Sequence, residues 1–420
     1  MLLLDTSRMG RDNIPSITHR ETLMLRFTFA LCFAFAATAH AEDARLFRGA
    51  GGTGVSSEKN LPTTWSEKEN IRWKAPLPGR GLSCPIIVGD RVFVTACTTV
   101  HQNRLHVLCF DAKTGKQLWE RQFWATGGTQ CHPKTNMAAP TPVSDGKRII
   151  ALFATADIVC LDLEGNLEWV RSLVGDYPTI GNNVGMAASP TVHGDTLVVQ
   201  MENIGESFAA GIDVATGKNR WRHDRPRIIN WATPIVVRSG KVDAVVLQTP
   251  TELTAHDVST GKQLWSFTQT RPSTIPSATA GDGILFVPGD KLVALKLRGE
   301  EDPEPLWTSN KLPSGYSSPT YFKGRVYTVS GRGVVNAADA KTGKIDWTHR
   351  IDANIASSPL IADGRMYITA EGGQTTVLEL GDEAKVLAVN PIGETILACP
   401  VAAQGAIFLR SDKHLWCIAK

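Results

Sequence analysis

Residues 111–119 read DAKTGKQLW, and the chain repeats that phrase. Copies return at 213–221 (DVATGKNRW), 257–265 (DVSTGKQLW) and 339–347 (DAKTGKIDW). A copy one residue shorter occupies 162–169 (DLEGNLEW), and a worn one ends at Leu306 and Trp307. Recurrence every ~40–50 residues marks an array of one small strand-turn-strand unit, a propeller or a solenoid. Within the phrase the Asp side chain can accept hydrogen bonds from its own turn, and the Gly supplies the positive φ of the hairpin. The Trp opens an outer strand, where a large flat ring is expected to pack between neighbouring sheets.

Upstream of each copy stands a small residue followed by Pro, then a turn, then a short apolar run. Cys84 and Pro85 precede Val92, Phe93 and Val94; Ser318 and Pro319 precede Val326 and Tyr327; Cys399 and Pro400 precede Ile407 and Phe408. Such runs bounded by Gly, Asp and Pro read as strands joined by hairpins. The third strand of each unit carries a small residue two places before the Asp: Cys109, Cys160, Gly211, Ala255, Ala294, Ala337 and Cys417 share that register. Crowding against a neighbouring sheet is the expected cause. Starts near Pro85, Pro142, Pro190, Pro234, Pro276, Pro319, Pro359 and Pro400 make eight units. Trp73 has no strands ahead of it, while residues 399–420 supply three strands and no fourth. The two ends complement each other. The reading is therefore all-β: an eight-bladed β-propeller over residues 65–420, built of four-stranded antiparallel blades and closed by an N-terminal strand in the last blade. The unit at 359–392 lacks its Trp, and Leu387 is expected in the empty slot.

The chain is 42 % hydrophobic and 20 % charged, ordinary values for a globular protein. Met24, Leu25 and Arg26 lead into FTFALCFAFAATA and then Ala39-His40-Ala41, which reads as a secretory signal peptide over 1–41, with residues 1–23 as an upstream start-codon choice. The apolar run is too short for a permanent span. A periplasmic or secreted location follows, with no lipid anchor expected at Cys32. Cleavage after Ala41 would leave 40 basic against 38 acidic residues and no Lys/Arg cluster, which argues against nucleic acid as a partner. Seven cysteines would remain, an odd number. Cys109, Cys160 and Cys417 hold the small-residue register and are expected as buried packers. Cys84 with Cys399, at equivalent positions of the first and last blades, is a candidate disulfide, and Cys97 with Cys131 a second.

The phrases LHVLCFDAKTGKQLW and VVNAADAKTGKIDW resemble the repeat of the quinoprotein-type, or PQQ-like, β-propellers, and the resemblance covers about residues 65–420. The lead-in from Phe47 to Trp65 resembles that of a secreted bacterial subfamily. The wider family includes PQQ-dependent dehydrogenases and the lipoprotein that assists outer-membrane β-barrel assembly, so membership leaves function open. In the dehydrogenases, the resemblance implies an adjacent Cys-Cys disulfide, an aromatic floor and Ca²⁺ ligands; this chain has no Cys-Cys pair and its blades are near minimal length. No cofactor is expected, and no catalytic residue is assigned. The expectation is a monomeric, non-catalytic scaffold that binds a protein, peptide or envelope component. The alternative is a PQQ- and calcium-dependent oxidoreductase with an atypical pocket; a polysaccharide hydrolase would need converging carboxylates or a His–acid pair.

The loops that enter each inner strand face one end of the ring and hold the candidate ligand residues. The 127–136 loop offers His132, Lys134 and Asn136, and the 175–183 loop offers Asn182 and Asn183. Asn230, Trp231, Tyr316, Asn354 and Glu371 come from other blades. Convergent polar groups with an aromatic or two suit a small polar ligand or a peptide. Residues 49–54 (GAGGTG) match G-x-G-x-x-G but open no helix, so the stretch is expected to be a mobile N-terminal arm over 42–64 rather than a dinucleotide site.

Overall fold

A computed structural model describes residues 42–181 and 183–420; the expected leader and Asn182 lie outside the described residues. The chain forms eight antiparallel sheets. Blade 1 is typical, with strands Ile86–Val88, Arg91–Thr98, Arg104–Asp111 and Gln117–Trp124 in spatial order. The first strands of successive blades are mutual neighbours around the axis. Blade 8 contains Val401–Ala403, Ala406–Arg410 and His414–Ile418, and its fourth strand is Ile71–Pro76. Trp73 stands opposite Cys417 there, so the ring closes through its two chain ends as the sequence predicts. The described helix is a single turn, Leu173–Asp176, and none among the described residues is long and apolar enough to cross a membrane.

The repeated phrase has two packing consequences. Each indole leans on the next blade: Trp73, Trp119, Trp169, Trp221 and Trp307 donate their Nε1–H to the carbonyls of Ala112, Leu163, Val214, Val258 and Ala340 at 2.8–3.0 Å. The ring also covers the turn glycine of that next blade. A Cβ on Gly115 would fall 2.5 Å from the Trp73 ring, and one on Gly261 2.5 Å from Trp221, at φ values of +71° and +74°. The glycine thus serves both the turn and the inter-blade stack. Trp265 is the exception: its Nε1 has no partner, and the blade it faces carries the worn copy of the phrase.

The small-residue register has a second origin besides the one expected. Cys109, Cys160, Gly211, Ala255, Ala294, Ala337 and Cys417 lie directly across the strand pair from Trp119, Trp169, Trp221, Trp265, Trp307, Trp347 and Trp73. The crowding comes from the blade's own indole as well as from the neighbouring sheet, against which Cys109, Cys160 and Cys417 also pack. In blade 7 the equivalent position opposite Val377 is Ala388, because the hairpin is one residue longer than in the blades that carry the full phrase; Leu387 falls in the bulge that every blade carries at this point. The volume is restored by Trp65, 3 % exposed, which joins Leu387, Tyr367, Val377 and Trp416 in the apolar cluster between blades 7 and 8. Its backbone N–H donates to Asn390 Oδ1 at 3.0 Å.

Around the axis runs a closed belt of hydrogen bonds. The backbone N–H of Cys84 donates to Thr141 Oγ1, Thr141 to Ser189 Oγ, Ser189 to Thr233 Oγ1, and Thr233 to Ser277 Oγ. Ser277 donates to Ser318 Oγ, Ser318 to Ser358 Oγ, Ser358 to Cys399 Sγ, and Cys399 back to Cys84 Sγ, all within 2.9–3.3 Å. These are the small residues that precede the prolines of the repeat, with the order reversed only at Pro276 and Ser277. A side chain here must be short and able to accept a hydrogen bond, which Ser, Thr and Cys satisfy.

The arm is paired to the blades and laid across the far mouth of the ring. Ala44 exchanges backbone bonds with Ile87 of blade 1, and Arg45 O accepts from Ser144 N of blade 2. Val55–Ser56 then adds as a parallel strand to Leu360–Ala362, giving blade 7 a fifth strand. Glu58 accepts the N–H groups of Gln404 and Gly405 in blade 8. The glycines of 49–54 let the chain turn sharply over the axis, and Gly54 passes so close to blade 7 that a Cβ would stand 2.8 Å from Pro359 O.

Candidate functional site

The opposite mouth is open. Its wall is built by repetition: two residues before each belt residue, one side chain per blade points toward the axis. Leu82, Ala187, Trp231, Ile275, Tyr316, Ala356 and Leu397 hold this register in seven blades and line a funnel of about 310 Å³. The lining is mostly apolar, and Tyr316 is 49 % exposed. Trp231 is fixed from both sides, its Nε1 donating to Gly185 O at 2.6 Å and its backbone N–H to Thr274 O at 2.7 Å. The indole is therefore a rigid surface.

The polar rim is sparse. Lys134 Nζ reaches across from the 127–136 loop to Glu371 of blade 7 at 3.1 Å. Both ends keep access to solvent, so the pair adds little stability. His132 is exposed, and its Nδ1 accepts from Lys134 N at 3.1 Å, which leaves the proton on Nε2. Thus His132, Lys134, Trp231, Tyr316 and Glu371 converge at this mouth.

Asn136, Asn183, Asn230 and Asn354 do not. Asn136 is buried and caps the N–H of Ala138 with Oδ1. Asn230 is buried and donates to Glu202 Oε2 at 2.8 Å and to Gln248 O at 2.6 Å. It completes an ion pair between Glu202 and Arg225 Nε at 2.9 Å. Burial pushes the Glu202 carboxyl upward while the guanidinium opposes it. Asn183 is exposed, and Asn354 is exposed with its carbonyl accepting from Glu371 N. The seven described cysteines are free thiols. Cys84 and Cys399 adjoin each other as belt acceptors, and the sulfurs of Cys97 and Cys131 both lie against Gln102.

Among the described residues no group of three or more His, Cys, Asp or Glu side chains converges as a metal site would require. A cofactor calcium needs several hard oxygens meeting at one point. The funnel offers Glu371, already tied to Lys134, so the residues present do not fit a quinone–calcium pair there.

Comparison with known proteins extends the picture. The chain is 22 % identical over 333 residues to the outer membrane protein assembly factor BamB of Burkholderia pseudomallei (strain K96243), covering 70 % of this chain and 83 % of that one. It is 24 % identical over 192 residues to a polyvinylalcohol dehydrogenase of Pseudomonas sp, covering 41 % of this chain but only 28 % of the dehydrogenase. A europium-containing methanol dehydrogenase superposes with a TM-score of 0.67 at 12 % identity, covering 89 % of this chain and 90 % of the other, a likeness of fold. The PQQ_2 family model, described as outer membrane protein assembly factor BamB, matches residues 41–185, 106–300 and 298–387. Overlapping matches of this kind are what a ring of equivalent blades produces, and with them the chain belongs to the PQQ_2 family of BamB-like repeat propellers.

Proposed function

We propose that this protein is a monomeric, non-catalytic binding scaffold of the periplasm or of the secreted fraction, and that its open funnel receives an apolar or aromatic segment of a protein or envelope partner. The observation that carries the reading is the funnel wall: apolar side chains from seven blades, a fixed indole and a half-exposed Tyr316, rimmed by one ion pair. Aromatic anchors in a desolvated pocket with a thin polar edge are the features that dominate protein recognition. The role named for the BamB relative, outer membrane protein assembly, is consistent with a protein partner. A leader read at 1–41 supports export.

The second reading, a PQQ-dependent oxidoreductase, draws on Trp231, whose indole face could stack a planar cofactor. A photo-crosslinking residue at position 316, used in envelope extract, separates the two. The scaffold reading expects discrete protein adducts that disappear in Trp231→Ala. It is overturned if no adduct forms while PQQ with calcium binds at micromolar concentration and supports turnover in a dye-linked assay.

A further inference from the structure

Beneath the arm, at the far mouth, lies a charge that no carboxylate balances. Arg48 adopts φ +68°, rare for a residue with a side chain, and this turns its guanidinium into the axis, where it is 2 % exposed. Nη2 donates to Thr53 O at 2.8 Å, Pro319 O at 2.7 Å and Thr320 Oγ1 at 2.9 Å. All three acceptors are neutral. Nε and Nη1 have no partner among the described residues. Burial pulls the guanidinium down to about 10, which still leaves it charged at neutral pH. A buried cation without a counter-charge costs several kcal/mol, so one is expected.

A cavity of about 40 Å³ adjoins this side chain, lined among others by Arg48, Gly51, Gly52, Thr191, Thr233 and Ser277. One water needs ~10–15 Å³ on this measure, so there is room for a small ion. The hydroxyl oxygens of Thr233 and Ser277 are engaged in the belt, accepting from Ser189 N and Thr233 N. The hydrogens on Arg48 Nε and Nη1 have no acceptor among the described residues. A water could accept from these guanidinium N–H groups but brings no charge, whereas an anion accepts from them and also supplies the missing counter-charge.

We propose that this cavity binds one small monovalent inorganic anion against Arg48, and that the anion fastens the arm to the ring. Chloride is the probe. The competing counter-charge is internal: Cys84 and Cys399 are the titratable neighbours of Arg48, and hydrogen bonding from Cys84 lowers the Cys399 thiol to about 7.

The test uses the full chain. Crystals grown in bromide are expected to show an anomalous peak beside Arg48, between the arm and blades 3–5. At constant ionic strength, melting in chloride is expected to rise by ~2 °C or more over melting in gluconate, which is too large to enter. Arg48→Met is expected to abolish that difference, and Cys399→Ser to keep it. Should Arg48→Met fail to fold, the bromide peak and the wild-type halide dependence decide alone. No peak together with equal melting in both salts overturns the proposal. So does a halide effect that is absent in the wild type and appears only in Cys399→Ser, since the thiolate is then the counter-charge.

Discussion

The two mouths of one ring are opposites. The same eight units surround both, yet one mouth is an open apolar funnel with a thin polar rim, and the other is bridged by the chain's own arm over a buried Arg48. The blades supply the symmetry. The asymmetry comes from segments outside the repeat: the arm at one end, and the loops between blades at the other. A pseudo-symmetric scaffold thus has two distinct ends only because one of them is occupied by itself.

The sharpest way to break this contrast is at the closed end. Trp65→Ala removes the ring that fills the slot between blades 7 and 8, and a loss of ~3–5 kcal/mol is expected in urea unfolding. Gly54→Ala combines a φ of +78° with a Cβ placed 2.8 Å from Pro359 O; ~2–4 kcal/mol should be lost, with hydrogen exchange rising in residues 44–60 first. At the open end the expected signature is reversed. Tyr316→Ala should change stability by no more than ~0.5 kcal/mol while weakening the crosslinked partner ~10-fold or more in a binding isotherm. A partner affinity unmoved by that change would shift the binding surface away from the funnel. Smaller effects are expected at blade 8, where burial raises the Glu394 carboxyl but hydrogen bonds from Ser411, His414 and Lys74 outweigh it and hold it at about 2. A folded value below the ordinary 4.5 means that its stabilisation is present above that pH and is lost as pH falls from there toward 2. Glu394→Gln should flatten that part of the acid unfolding curve. Lys134→Met, which removes the ion pair across the funnel, should alter stability by less than ~1 kcal/mol.

The ring was legible in the sequence because its determinants are local and repeated. A turn motif, a proline and a Trp recur in most units, and an orphan Trp73 facing an incomplete last unit reveals the closure. The funnel was harder to read. Leu82, Ile275 and Leu397 are ordinary apolar residues in loops, and only their shared register two places before the belt residue marks them as a surface. Attention to polar loop residues found His132, Lys134, Trp231 and Tyr316 but also selected Asn136 and Asn230, which serve buried frameworks. The arm's contacts were illegible because they are remote in sequence: Arg48 meets Thr320, and Glu58 meets Gln404. Leu387 was misassigned by one residue because the blade 7 hairpin is one residue longer than the phrase that set the register.

The pairing of Ile71–Pro76 with His414–Ile418 also sets a schedule. Blade 8 stays one strand short until position 418 has been synthesised, so a ribosome cannot release a finished ring in stages from its first residues onward. The early segment must wait, unpaired at its edge, for a partner made more than 300 residues later. Contacts of such sequence separation form slowly. The interval between synthesis and closure is when this protein is most exposed to aggregation, and when a chaperone would matter to it most.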